Sequence, residues 1–337
     1  MKTKRYIFIL FSVIFIFFAS CNNTPIFSVI ENEISLKKFS VEGNVLGLIE
    51  KDNNVYVANR AGVYVKNKDD EANWKEILTA DRGIQKIASN SDNVFVCFES
   101  GNVKYYDESN EVWKDVPSTE NIRVLYGDKT VFGYEENSGK IYKITKTGID
   151  TVSIPGVSKL ISAAGDYFLV KANNKIKLYK NGTEISGVPQ NAIALCSYDN
   201  SNIFVLAGST IYYYDSNWNN SISISKSPIS ISYFKERKTI LLGSEKGYTE
   251  VKLNDATPTL LSNAQQINPG SSGSTTPPSS YSQYQTTLES YYTFPVLGVQ
   301  RGSGDYAVFL GISSGIIQRN TGLWGFYSDK KREWNRE

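Results

Sequence analysis

The chain has 337 residues, 41% hydrophobic and 21% charged, enough apolar material for one large all-β domain or two ordinary ones. Histidine is absent, which excludes Ser-His-Asp and Cys-His catalysis and His-ligated zinc but leaves paired carboxylates open. The net charge is +2; setting aside Lys2, Lys4 and Arg5 leaves 33 basic and 34 acidic residues, a net of −1, and no electrostatic drive toward nucleic acid.

The N-terminus, "MKTKRYIFILFSVIFIFFASC", runs from three cations through an apolar stretch, Tyr6 to Phe18, to Ala19-Ser20-Cys21. That is the order of a secretory signal. The stretch is short of the ~20 residues that a bilayer span needs. "CNNTP" then turns polar. The tetrad "FASC" resembles the lipobox of bacterial lipoproteins, with Phe18 where Leu is commonest. The resemblance implies that the Cys21 thiol receives a diacylglycerol, that the peptide is cut just before Cys21, and that the new amino group is acylated. Several acyl chains together anchor firmly where one alone binds marginally. The competing reading is an ordinary signal cut near Ser20, with Cys21 incidental.

After the signal, one plan recurs seven times. An apolar run comes first; a polar turn, a second β-branched or aromatic run, a turn near Gly and a third such run follow, then a polar segment. The first runs begin near Val45, Ile84, Ile122, Ser158, Ile193, Ile229 and Val296, at spacings of 39, 38, 36, 35, 36 and 67. The second runs include "NVYVAN", "NVFVCF", "YFLVKA" and "TILLGS"; the third include "GVYVKN", "GKIYKIT" and "TIYYYD". Length, β-branched enrichment and bounding turn residues make each a strand, and no segment beyond residue 25 carries a helical period. A Gly is followed twelve residues later by a Trp at Gly62–Trp74, Gly101–Trp113 and Gly322–Trp334, and Trp218 is a fourth, shorter instance. These Trp residues are expected to cover the edge of one repeat against the next.

A period of 35 to 40 residues with three or four strands is the signature of a β-propeller blade, which cannot bury both faces alone. The expected fold is an all-β, seven-bladed β-propeller. Its ring would be closed by the strand-like segment Ile26 to Val41 joining the C-terminal blade, Val296 to Glu337. The long last spacing contains "NPGSSGSTTPPSSYSQYQTT", whose composition points to a disordered loop at about 266–287. The expected layout is a signal peptide over 1–20, a lipidated tether over 21–26 and the propeller over 27–337. Cys97 and Cys196, in apolar strand-like runs, are expected to be buried small apolar residues rather than a disulfide.

The repeats resemble those of bacterial sensor-type and quinoprotein-like propellers, in which strand, Gly, strand, Asp, Trp recurs. The regular Trp docking motif of the quinoprotein subgroup is absent, as are the Kelch Gly-Gly and the Trp-Asp dipeptide as consistent features. A propeller lipoprotein of the outer-membrane assembly machinery is the functional analogue that this resemblance suggests, at the level of fold alone. No phosphate loop, calcium loop or Cys cluster is present, and no cofactor or metal is expected. The acids of "KDDE" (Lys68–Glu71) and "YDESNE" (Tyr106–Glu111) read as solvated turns, with a cation site as the alternative. The expected function is a non-enzymatic, lipid-anchored binding or scaffold module of the bacterial envelope, on the periplasmic side or the surface, with a protein, peptide or glycan partner. The alternative is a glycan hydrolase or lyase with paired carboxylates at the propeller channel.

Overall fold

The computed structural model describes residues 41–70, 73–80, 83–199, 201–224, 227–253, 265–267, 291–313, 321–329 and 334–337. Over these the chain forms seven four-stranded antiparallel sheets, each from four consecutive strands hydrogen-bonded in chain order, and no helix. We call them blades 1 to 7. Their first strands are Val45–Lys51, Ile84–Ser89, Ile122–Tyr126, Val157–Ala164, Ala192–Ser197, Pro228–Phe234 and Tyr292–Arg301. Each first strand touches the first strand of the next blade, and that of blade 7 touches that of blade 1. The first strands are therefore innermost, and the molecule is a seven-bladed β-propeller.

The second strands carry the core. "VFVCF" of blade 2 and "IFVLA" of blade 5 are buried at every position, and "TILLGS" of blade 6 likewise. Both faces of these strands press on neighbouring blades, so they read as continuous apolar runs without alternation. The fourth strands are the opposite case. "KEILT", "VWKD" and "TEI" are short, charged and exposed, the composition of an outer edge that must not pair with another chain. They occupy the part of each repeat that reads as a polar connection in the sequence.

Seven apolar clusters fill the seven gaps between consecutive blades. Between blades 3 and 4, Phe132 and Phe168 meet with ring centroids 4.5 Å apart, and Phe168 stacks on Tyr179 at 5.4 Å. Cys97 and Cys196 belong to the clusters between blades 2 and 3 and between blades 5 and 6; both are buried and free, as expected.

The ring is sealed between blades 7 and 1. Val41 N–H donates to the Glu337 carbonyl at 3.4 Å, Leu323 N–H donates to the Val41 carbonyl at 3.4 Å, and Glu42 bridges Gly322. Val41 and Glu42 thus reach blade 7 through isolated backbone pairing, and blade 7 has four strands of its own. Residues 26–40 of the expected closing segment lie outside the described residues, as do the expected signal 1–20 and tether 21–26. In the segment 266–287, the fourth strand of blade 6, Gln265–Ile267, takes the start, and 268–287 lie outside the described residues.

The Gly–Trp echo has a geometric cause. Gly62 and Gly322 open third strands, and Gly101 stands two residues before one. Gly101 has φ +80°, and a Cβ on it would sit 2.0 Å from the Glu120 carbonyl oxygen, so only glycine fits. The Trp residues stand at the start of the fourth strands and reach the preceding blade. Trp113 Nε1–H donates to the Ile77 carbonyl, Trp218 Nε1–H to the Ser186 carbonyl, and Trp74 Nε1–H to Glu337 Oε2, at 3.0, 2.7 and 2.8 Å. Trp334 meets the preceding blade through Tyr248, with ring centroids 5.8 Å apart.

Candidate functional site: the central channel

The inner strands share one irregularity. Pairing with the second strand skips between Val45 and Gly47, Ile84 and Lys86, Ile122 and Val124, Val157 and Lys159, Ala192 and Ala194, Pro228 and Ser230, and Thr293 and Val296. A bulge therefore sits at the start of the innermost strand in all seven blades. Bulges bend a strand and re-aim its side chains, and they concentrate at barrel rims and beside functional sites. Here they turn one mouth of the ring into a collar of re-aimed residues.

The inner strands enclose a cavity of about 550 Å³. That volume falls within the usual range of small-ligand pockets. Apolar side chains, among them Leu46, Leu48, Ile161, Ile193, Ile229 and Phe294, share its walls with polar groups. Ile193 is 40% exposed, unusual for a large apolar residue in a sheet. Four charged residues line the same space: Glu50, Lys86, Asp128 and Lys159.

The four charges are not equally engaged. Glu50 accepts from Lys68 Nζ at 2.7 Å. Burial pushes its carboxyl up, and Lys68 opposes that. Gly165 N–H donates to Asp128 Oδ1 at 2.5 Å. The surrounding protein pushes the Asp128 carboxyl up as well. Lys86, by contrast, makes no hydrogen bond or ion pair among the described residues. Its ammonium lies over two aromatic faces, Tyr126 at 5.4 Å and Phe294 at 5.3 Å. Burial pushes Lys86 below the ordinary lysine range, and the like charge of Lys159 pushes the same way. Lys159 likewise has no partner among the described residues.

The charges are also sorted along the channel. Lys86 and Lys159 both directly follow the bulge. Glu50 stands three residues further along its strand than the matching position in blade 1, Gly47, and Asp128 lies just past the end of its strand. At ~3.3 Å per residue the backbones of Glu50 and Asp128 lie roughly 10 and 13 Å beyond the lysine level. The ring has a cationic mouth where its inner strands begin, and its two carboxylates, each already engaged, stand toward the other end.

The residues singled out in the sequence fall elsewhere. Cys21 lies outside the described residues. The acids of 106–111 sit at the rim between blades 1 and 2, each held by a lysine. Asp107 accepts from Lys114, Glu108 from Lys51 and Glu111 from Lys75. The Lys114 hydrogen bond holds the Asp107 carboxyl down at about 2. Asp69 accepts from Gly302 N–H at 2.8 Å and so ties blade 1 to blade 7. Lys86 and Lys159 escape a reading from sequence, although "IQKIAS" and "VSKLIS" place a lysine at the same third position of two inner strands.

Comparison with known proteins agrees with this architecture. The profile of the TP013X lipoprotein family matches residues 7–217. An uncharacterized lipoprotein of Treponema pallidum (strain Nichols) is 20% identical over 363 aligned residues, covering 94% of this chain and 93% of the relative. Among solved structures, YCF48 bound to D1 peptide superposes with a TM-score of 0.54 and 12% identity, over 82% of this chain and 91% of that one. A chain of the mitotic checkpoint complex superposes with a TM-score of 0.52 and 13% identity, over 66% of this chain and 77% of that one. At these identities the structures speak for the propeller fold alone. The family match, residues 7–217, spans more than half of the sequence, and the chain belongs to the TP013X lipoprotein family.

Proposed function

We propose that this lipoprotein is a binding module of the bacterial envelope, anchored through acylated Cys21 on the exported side of a membrane, that takes a peptide or protein partner at its central channel. The observation that carries this reading is the channel itself: about 550 Å³, walled by apolar and polar residues from all seven blades, with unpaired lysines at one mouth. Apolar walls supply affinity and a few polar groups supply orientation, which is the composition of a recognition site. YCF48, a neighbour in fold, is itself bound to a peptide. The role is binding rather than turnover: the two acids that reach the channel are engaged by Lys68 and by the Gly165 backbone.

The test is a photo-crosslinking amino acid placed at Ile193 in the channel or at Val112 on the rim, in cells that make the full lipoprotein. Both positions are exposed, at 40% and 43%. A discrete adduct from Ile193 and none from Val112 is the expected result. No adduct from Ile193, or the same adducts from both sites, would refute the reading. Cys21→Ser should move the protein from the membrane to the soluble fraction; retention in the membrane would refute the anchor.

A further inference from the structure

The unpaired lysines ask for a ligand of definite chemistry. Lys86 lies in the channel with its ammonium over the faces of Tyr126 and Phe294, and neither it nor Lys159 has a counter-charge among the described residues. A lysine ammonium is strongly hydrated, and withdrawing it from water without a partner is costly. Lys86 is half-buried and bears that cost, and the exposed Lys159 at the same level of the ring adds like-charge repulsion to it. A bound anion removes both penalties together. The carboxylates of the channel do not do so, since Glu50 is paired with Lys68 and Asp128 is held by the Gly165 N–H.

We propose that the cationic mouth binds an amphipathic organic anion, its carboxylate or phosphate head between Lys86 and Lys159 and its apolar body against Ile193, Ile229 and Phe294. The assignment rests on the reading of the channel as a binding site and narrows its ligand. The aromatic faces of Tyr126 and Phe294 beside Lys86 favour its cationic form. The re-aimed bulge residues at the same mouth, Ile193 and Ile229 among them, supply the apolar surface. The head group has two sources, a free small acid or the terminal carboxylate of a peptide.

The full-length lipoprotein in dodecyl maltoside is titrated calorimetrically with 4-phenylbutyrate, with the neutral 4-phenylbutanol, with inorganic phosphate, and with a pentapeptide ending in leucine, as free acid or amide. Phenylbutyrate should bind 1:1, and phenylbutanol and phosphate at least tenfold more weakly. Lys86→Met and Lys159→Met should each weaken phenylbutyrate at least tenfold, with the melting temperature unchanged or raised, and Lys86→Arg should retain most of the affinity. If the free-acid peptide binds and its amide does not, the head group comes from a chain end; if only phenylbutyrate binds, it comes from a small acid. Either result supports the site. No binding of phenylbutyrate, equal binding of the alcohol, or full affinity in both methionine variants would overturn it. Phosphate binding as tight as phenylbutyrate would remove the apolar half. Loss of the anion site with Ile193 adducts intact would leave the binding-module reading standing.

Discussion

At the scale of single residues, the structure assigns jobs that composition only hints at. Cys97 is fully buried, its thiol donates to the Arg123 carbonyl at 3.1 Å, and burial pushes it up to about 12. Burial also raises Cys196. A thiol that stays protonated and enclosed is unreactive. Both should therefore resist iodoacetamide at pH 8 in the folded protein and react within minutes in 6 M guanidinium; alkylation of either in the native state would contradict their placement. Gly101→Ala should destabilise by more than ~1 kcal/mol, because it adds a Cβ at positive φ against a backbone carbonyl. Urea unfolding measures this, and an unchanged midpoint would refute the geometric account of the Gly–Trp echo. The Trp residues were legible as edge cover because their spacing repeats. Lys86 was not: what distinguishes it is the absence of a partner across a ring, and no local pattern reports that.

At the scale of elements, the first three strands of each blade are legible because their apolar runs and turns recur. The fourth is hidden. It stands at the rim with one edge unpaired, so selection for solubility makes it short and charged, and it reads as a connection. The bulges are equally silent, since an extra residue in one strand shows only against the register of its partner. The second strands make the firmest energetic prediction. Phe168 is fully buried and touches Phe132 and Tyr179 across and within blades. Phe168→Ala should cost about 3–5 kcal/mol. The same change at Val112, exposed on a fourth strand, should cost within about 0.5 kcal/mol. Comparable losses at the two positions, measured by guanidinium unfolding, would contradict the assignment of core and rim.

At the scale of the whole molecule, seven quasi-equivalent units bury their faces only if the ring closes. The seam between blades 7 and 1 carries polar contacts across it. Glu337 Oε2 accepts from Trp74 Nε1–H at 2.8 Å and from Lys66 Nζ at 3.2 Å, with both charged side chains more than 90% buried. Arg301 donates to the Lys68 carbonyl at 2.7 Å and pairs with Asp329 at 2.6 Å. Glu337→Gln leaves the Lys66 charge buried without its carboxylate and should cost about 3 kcal/mol. Lys66→Met added to Glu337→Gln should recover part of that loss, and a double-mutant cycle without coupling would deny the latch. The seven-fold plan was legible in the repeat spacing. The channel's polarity was not, because it arises from residues far apart in sequence that only the closed ring brings to one level.

The measurement that bears most directly on the account is a plug. Ile193→Trp fills the channel from a side chain that is already exposed, so the fold and the membrane anchor should stay intact. With a photo-crosslinker at Ile229 on the neighbouring blade, partner adducts in intact cells should vanish on introducing the plug, at unchanged protein level and melting temperature. Adducts that persist at full yield with the channel filled would show that the partner binds elsewhere on the propeller.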